Sequence, residues 1–137
     1  MKKVLMLLPL VAIATAATAF GVSSSARAQN YAVVQESDCA LVTPGELSLV
    51  VNQAGLDTGL KLPEGMALRT ELHCAPDGGS KRLVYSVRAT IDKQVTDGSE
   101  QRWTSVAQLT GFGTTADRSS LLRQVHFTVR DVIRQEP

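Results

Sequence analysis

The sequence predicts an α+β domain in which a small antiparallel sheet of three or four strands carries two helices on one face. Three runs of alternating apolar and polar residues, at 66–74, 82–92 and 102–112, predict half-buried strands. Two other segments, 43–55 and 119–134, repeat their apolar residues at helical spacing. After a short N-terminal edge strand, the predicted order is therefore helix, three strands, helix.

The first 28 residues have the features of a signal peptide. A basic start, Met1–Lys3, precedes an uncharged run over 4–22, and Ala26 and Ala28 form an A-x-A cleavage site. We therefore expect the mature chain to begin at Gln29. The alternative is an uncleaved membrane anchor, because the apolar run approaches the length that spans a bilayer.

Residues 29–137 are predicted to form a single domain. They number 109, which is enough for one hydrophobic core and too few for two. Removing residues 1–28 changes the formal charge from +1 to −2, with 11 Lys and Arg against 13 Asp and Glu. A nearly neutral chain gives no reason to expect binding to nucleic acid or to a membrane surface.

The predicted element order resembles that of double-stranded-RNA-binding domains. Those domains contact phosphates with a lysine-rich helix start, which this sequence lacks, and export would separate the protein from RNA. The resemblance is one of element order, so we expect no nucleic-acid partner.

Cys39 and Cys74 are the two cysteines of the chain, so a single intramolecular pairing exists. Thiols of exported domains are usually oxidised, which makes a disulfide the default expectation. Closing a loop of about 36 residues would remove chain entropy equivalent to roughly 3–4 kcal/mol. A redox-active pair or a pair of metal ligands is the alternative, although the C-x-x-C spacing is absent.

The first helix has recognisable start and stop signals. Thr43 and Glu46 match a capping box, and Pro44 suits the first helical position. The apolar stripe consists of Leu47, Val50, Val51 and Ala54. Gly55 is expected to be the left-handed residue that ends the helix. A disulfide would hold the entry to this helix against the end of the first hairpin strand.

Alternation assigns each strand residue to one face of the sheet. The predicted inward residues are Met66, Leu68, Thr70, Leu72 and Cys74, then Leu83, Tyr85, Val87, Ala89 and Ile91, then Trp103, Ser105, Ala107 and Leu109. Turn-prone residues at 75–81 and 96–100 separate the strands. Short links of this kind favour antiparallel neighbours, because a parallel crossover needs about a dozen residues.

Two periodicities compete in the last segment. Val125, Phe127 and Val129 alternate as in a strand. Six apolar residues instead fall within about a 120° arc of a helical wheel, namely Leu121, Leu122, Val125, Val129, Val132 and Ile133. Since the helical stripe accounts for more residues, we predict a helix over 119–134.

Two surfaces are candidate binding sites. The outward face of the sheet is predicted to carry Arg69, Arg82, Arg88 and Arg102. Guanidinium groups suit carboxylate or phosphate partners, such as a small anion, a glycan acid, a lipid head group or an acidic protein. The last helix carries a second cluster opposite its stripe, formed by Arg123, Phe127, Arg130 and Arg134. The alternative for both is an ordinary solvated surface whose charges prevent aggregation.

No pattern of catalytic residues is evident. The G-x-S-x-G elbow, the phosphate-binding glycine loops and the H-E-x-x-H zinc pattern are absent from the sequence. His73 lies two residues after Glu71, which could hold its imidazole, and His126 lies at the border of the last helical stripe. Either histidine could act as a base or a ligand, but solvated histidines are commoner, so we predict no metal and no cofactor.

The sequence therefore predicts an exported, periplasmic, non-catalytic module that binds another component of the cell envelope. Binding would use the arginine-bearing sheet face or the last helix. One alternative is a carrier that holds a lipid or small molecule in a cavity between sheet and helices. Another is a small enzyme that uses His73 or His126.

Overall fold

The α+β class and the element order are confirmed in the computed structural model, which describes residues 32–59 and 61–135. The predicted signal peptide and its cleavage site lie outside the described residues. In chain order the elements are β1 (Ala32–Ser37), α1 (Pro44–Thr58), β2 (Met66–Pro76), β3 (Leu83–Asp97), β4 (Glu100–Thr115) and α2 (Arg118–Arg134). Neither described helix is long and apolar enough to cross a membrane.

The four strands form one sheet in the order β1-β2-β3-β4. β2, β3 and β4 are an antiparallel meander, as the short turns predict. β1 pairs with β2 in parallel, with Ala32 opposite Ala67, so the expectation of a purely antiparallel sheet is wrong at this edge. The reason is that α1 lies between β1 and β2 and supplies the crossover that a parallel pair requires.

Both helices pack on the same face of the sheet and enclose one hydrophobic core. Its fully buried aliphatic side chains come from α1, from two positions of β2 and three of β3, and from α2. They include Leu47, Val51, Leu68, Leu72, Val87, Ile91, Leu121, Val125, Val129, Val132 and Ile133. The apolar stripe predicted for the last helix is thus the stripe that packs on the sheet.

The predicted capping box of α1 is present. The amide of Glu46 donates to Oγ1 of Thr43, and the amide of Thr43 donates to Oε2 of Glu46. The predicted end of the helix is wrong. α1 continues to Thr58, where Gly59 with φ 64° is the left-handed cap, while Gly55 is buried within the helix.

Two side-chain contacts join the helices, which run in the same direction because each returns antiparallel to the strand before it. Nη1 of Arg118, in the first turn of α2, lies 2.7 Å from Oε1 of Glu46 in the first turn of α1. Further along, Nε2 of His126 lies 2.7 Å from Oδ2 of Asp57 at the end of α1. The two helices therefore share both packing and polar contacts.

The predicted disulfide is confirmed. Cys39 and Cys74 are bonded with a Cα–Cα distance of 4.7 Å, which fixes the segment before α1 to the end of β2. Their neighbours are also joined, because Nδ1 of His73 lies 3.0 Å from Oδ2 of Asp38. A disulfide in this small domain is consistent with an extracellular or periplasmic location.

Two glycines in β4 allow close packing on the helix side of the sheet. A Cβ on Gly111 would lie 3.0 Å from Nε2 of Gln124 and 3.1 Å from Oγ1 of Thr128, both in α2. A Cβ on Gly113 would lie 2.8 Å from the hydroxyl oxygen of Tyr85. The absence of side chains at these positions therefore lets α2 and the tyrosine ring lie directly against the strand.

Candidate functional site

A β-bulge in β4 decides which side chains reach the face of the sheet on which neither described helix packs, here called the helix-free face. Ala107 pairs with Ile91, but the next residue of β3, Asp92, pairs with Ser105, so Val106 is an extra residue. The prediction of regular alternation along all of β4 is therefore wrong for the residues that precede Val106. Trp103 and Ser105 lie on the helix-free face rather than with the inward Ala107.

The pairing registers align polar residues in rows across the helix-free face. Arg69, Thr90 and Gln108 form one row across β2, β3 and β4. Glu71 and Arg88 lie opposite each other in the row on one side. The row on the other side contains Asp92 and Ser105, and Trp103 follows in the row beyond them.

These rows surround a shallow groove of about 270 Å³. Four of its lining residues are charged, namely Arg69, Glu71, Arg88 and Asp92. The other four are Thr90, Trp103, Ser105 and Gln108. Thr90 and Asp92 are predicted to be on the outward face and are there, but they are buried because the longer side chains around them cover the groove floor.

The charges in the groove are paired. Asp92, whose side chain is 7% exposed, accepts hydrogen bonds from Nε of Arg69 at 3.2 Å and from Oγ of Ser105 at 2.7 Å. Nη1 of Arg88 lies 3.4 Å from Oε2 of Glu71. Two guanidinium groups therefore face two carboxylates, and the groove has polar groups of both signs without a net charge.

The other two arginines predicted for this face lie outside the groove. Arg82 is at the far end of the sheet, where Nη2 donates to Oγ1 of Thr114 at 2.8 Å. Arg102 pairs with Val95, so the register puts it on the helix side of the sheet, and the prediction for it is wrong because of the bulge. Its guanidinium lies 3.5 Å from the carboxylate of Asp97.

Exposed apolar side chains flank the groove on the same face. Trp103 is 47% exposed at one end. Towards the other end Phe112, which is opposite Ser86, is 82% exposed. Val84 lies diagonally across from Phe112 and is also exposed. A polar groove between two aromatic side chains is thus the main feature of the helix-free face.

Two of the four residues predicted to cluster on the last helix, Phe127 and Arg130, are in contact. The guanidinium carbon of Arg130 lies 4.9 Å from the centroid of the Phe127 ring, a cation–π contact. Arg130 also bonds to the carboxylate of Asp131 at 2.7 Å. Arg123 and Arg134 are exposed in the same helix. Phe127 is thus partly covered by its own neighbours.

The two histidines have separate partners, and neither lines the groove. His73 contacts Asp38 rather than the predicted Glu71, since β1 and the segment after it lie beside β2. This hydrogen bond, with a second one from the amide of Cys74, lowers the pKa of Asp38. His126 likewise lowers the pKa of Asp57. Among residues 32–59 and 61–135, no three His, Cys, Asp or Glu side chains are grouped to hold a metal ion.

The sequence pattern predicts part of this site. It identified Arg69 and Arg88 but assigned Trp103 and Ser105 to the core. The adjacent apolar pair Val106 and Ala107 is the one local sign of an inserted residue in the strand.

No protein-family model matches the chain, and no curated protein is significantly similar to it in sequence. The function is therefore argued from the geometry of the site.

Proposed function

We propose that this protein is an exported, non-catalytic binding module that recognises another protein of the cell envelope through its helix-free face. The observation that carries this proposal is the groove of about 270 Å³, lined by paired charges and flanked by the exposed Trp103 and Phe112. Binding surfaces combine aromatic and arginine side chains in this way. The N-terminal signal-peptide pattern and the Cys39–Cys74 disulfide support export.

The pairing of the charges favours a protein partner over a free anion. An anion would have to displace Asp92 from Arg69 or Glu71 from Arg88, and each displaced carboxylate would lose its partner. A protein surface can instead use donors and acceptors of both signs and cover the aromatic side chains at the same time.

The described geometry gives less support to a carrier. A carrier needs a cavity between sheet and helices, whereas the groove is on the opposite face. On the helix side, Gln124 and Thr128 of α2 lie against Gly111 at contact distance. The space between α2 and β4 is therefore filled by side chains.

An enzyme is also less well supported. His73 is exposed beside the disulfide, and His126 joins the helices. Neither histidine adjoins the groove, so the two candidate bases do not meet the polar side chains of a concave site.

Site-specific photo-cross-linking in the envelope tests the proposal. A benzophenone side chain in place of Trp103 should form an adduct with one envelope protein. The same group at Leu49, which is 73% exposed on α1, is the matched control and should not. Arg88→Glu should abolish the adduct from position 103, and Arg134→Glu should leave it unchanged. The proposal fails if positions 49 and 103 give the same adducts, if neither gives one, or if Arg88→Glu has no effect.

A further inference from the structure

β4 ends the sheet with a long unpaired edge that the proposed function does not use. We propose that this edge pairs antiparallel with the β4 edge of a second copy of the chain, which makes a twofold dimer with one continuous sheet of eight strands. This inference does not depend on the envelope partner. Such a dimer would be isologous, since the same strand contributes to both sides of the interface.

The composition of β4 favours self-pairing. Within residues 32–59 and 61–135, no strand pairs with β4 on the side away from β3. Soluble proteins usually protect such edges with charges, proline or short strands. β4 has 16 residues, and the 13 residues from Trp103 to Thr115 include no charge and no proline. The other edge strand, β1, has six residues and contains Glu36.

The backbone pattern identifies the groups that are free to pair. The amide of Gln94 donates to the carbonyl of Gly65 at 2.7 Å, and the carbonyl of Arg82 accepts from the amide of Asp77 at 3.0 Å. The even-numbered residues of β3 therefore direct their backbone groups towards β2, and the odd-numbered ones direct theirs towards β4.

The register then fixes the pattern in β4. Val87 pairs with Gly111 and Ala89 pairs with Leu109, so from Ala107 to Thr115 the odd-numbered residues of β4 bond to β3. In this part of β4 the residues whose N–H and C=O groups point to the free edge are Gln108, Thr110, Phe112 and Thr114. Their side chains lie on the helix-free face. The carbonyl of Thr114 also accepts a hydrogen bond of 3.3 Å from Nη2 of Arg82, which leaves its second lone pair for a neighbouring strand.

A twofold axis at Phe112 makes the two edges complementary. The two Phe112 residues would then exchange both N–H···O bonds, and Thr110 of each copy would lie opposite Thr114 of the other. Two phenylalanine side chains that are 82% exposed would become a cross-strand aromatic pair. No like charges would meet, because the segment has none.

The helices leave room for this arrangement. α2 packs over β3 and β4, and adjacent strands lie about 4.8 Å apart. The α2 helices of the two copies would therefore be separated by about 10 Å, the ordinary packing distance of helices. Gln124 and Thr128 of α2, which lie against Gly111 of β4, are uncharged, and the carboxylate of Asp131 on the same side of the helix is paired with Arg130. The two grooves would open on the same face of the dimer, which suits bivalent binding.

Sedimentation equilibrium of the purified, oxidised full protein tests the inference. It measures the oligomeric state over about a hundredfold range of concentration. The mass should rise from one to two chains. Thr110→Pro removes an N–H that points to the free edge, so it should prevent dimers without breaking a bond to β3. Phe112→Asp would put two carboxylates opposite each other and should do the same. The control, Leu49→Asp on α1, should still form dimers.

Amide hydrogen exchange measured by NMR supplies a second readout. The amides of Thr110, Phe112 and Thr114 should gain protection as the concentration rises, whereas Leu109 and Gly111 should be protected throughout. Circular dichroism of the variants checks that they fold. The inference is overturned if the folded wild type is monomeric at every concentration, if Thr110→Pro or Phe112→Asp still forms dimers, or if dimers leave the amides of Thr110, Phe112 and Thr114 unprotected. The cross-links from position 103 are scored separately from any self-adduct, so the two proposals fail independently.

Discussion

Ser105 donates a 2.7 Å hydrogen bond to Oδ1 of Asp92 directly beside the bulge at Val106. If Val106 were paired like its neighbours, regular alternation would put Ser105 on the helix side with Ala107; because Val106 is an unpaired extra residue, Ser105 lies on the helix-free face beside Asp92. The bulge thus brings Ser105 and Trp103 to the groove.

We expect the deletion of Val106 to be tolerated. Ser105 would then directly precede Ala107, and Asp92 would still pair with Ser105. The hydrogen-bond pattern between β3 and β4 would therefore become regular. The free energy of unfolding in urea should change by about 1 kcal/mol or less, with a single Trp103 fluorescence transition. The control is the deletion of Gln108 from the regular part of the strand. All β4 residues on one side of this deletion would exchange faces of the sheet, which should abolish cooperative unfolding. Equal damage from both deletions would contradict the bulge.

Arg69→Met should be destabilising because Asp92 is nearly buried and would keep one hydrogen-bond donor, Ser105. We expect a loss of about 1–3 kcal/mol in the free energy of unfolding. Arg102→Met is the matched control. Its ion pair with Asp97 is 67% and 75% exposed, so the change should be about 0.5 kcal/mol or less. Comparable losses in the two variants would disprove the role given to the Arg69 contact.

Replacing both Cys39 and Cys74 by alanine should lower the free energy of unfolding by about 2–4 kcal/mol, because the disulfide closes a loop with a separation of 35 residues. Urea denaturation with and without dithiothreitol measures this effect. Reduction should destabilise the wild type by a similar amount and leave the double variant unchanged. A wild type that is insensitive to the reductant would show that the disulfide adds no stability.

Stability should fall in acid partly through Asp57. The hydrogen bond from His126, with that from Gln53, lowers the pKa of Asp57 below its ordinary 3.8. Since the folded-state pKa is the lower one, the stabilisation is complete above pH 3.8 and is lost as the pH falls through the folded-state value. The unfolding free energy of Asp57→Asn and of His126→Ala should therefore decline less steeply below pH 3.8 than that of the wild type. If the unfolding free energies of all three proteins fell equally steeply with pH, Asp57 would not contribute to the acid sensitivity.

Gly111→Leu should destabilise the helix–sheet contact. A Cβ at this position already lies 3.0–3.2 Å from atoms of Gln124, Thr128 and Val87, so a larger side chain forces α2 away from β4. Overpacking of this kind costs about 1–3 kcal/mol. Gly45 in the first turn of α1 has open space around its Cβ position, so Gly45→Ala should raise stability by up to about 1 kcal/mol in thermal unfolding. If Gly111→Leu left the free energy of unfolding unchanged, α2 would not be packed closely against β4 at this position.

The sequence by itself determined the parts of this protein that depend on local chemistry. The capping residues Thr43 and Glu46 predict the start of α1, and the stripe from Leu121 to Ile133 predicts the buried side of α2. The alternation in 66–74 and 82–92 correctly predicts which residues of β2 and β3 face the helices, although Ala67, Thr90 and Asp92 are also buried on the opposite face. Because the chain has two cysteines, one intramolecular pair is possible, and the signal-peptide pattern predicts that this pair is oxidised.

The tertiary structure decided what local patterns leave open. β1 is parallel to β2 because α1 packs on the sheet and carries the chain back, which no residue in β1 specifies. His73 meets Asp38 across two strands rather than its near neighbour Glu71. The bulge at Val106 reverses the face of every residue before it in β4, so Trp103 joins the groove and Arg102 leaves it. Alternation shows which residues share a face of the sheet only where the strand has no extra residue. The position of an extra residue is decided by the pairing with the neighbouring strand and by packing against the helices.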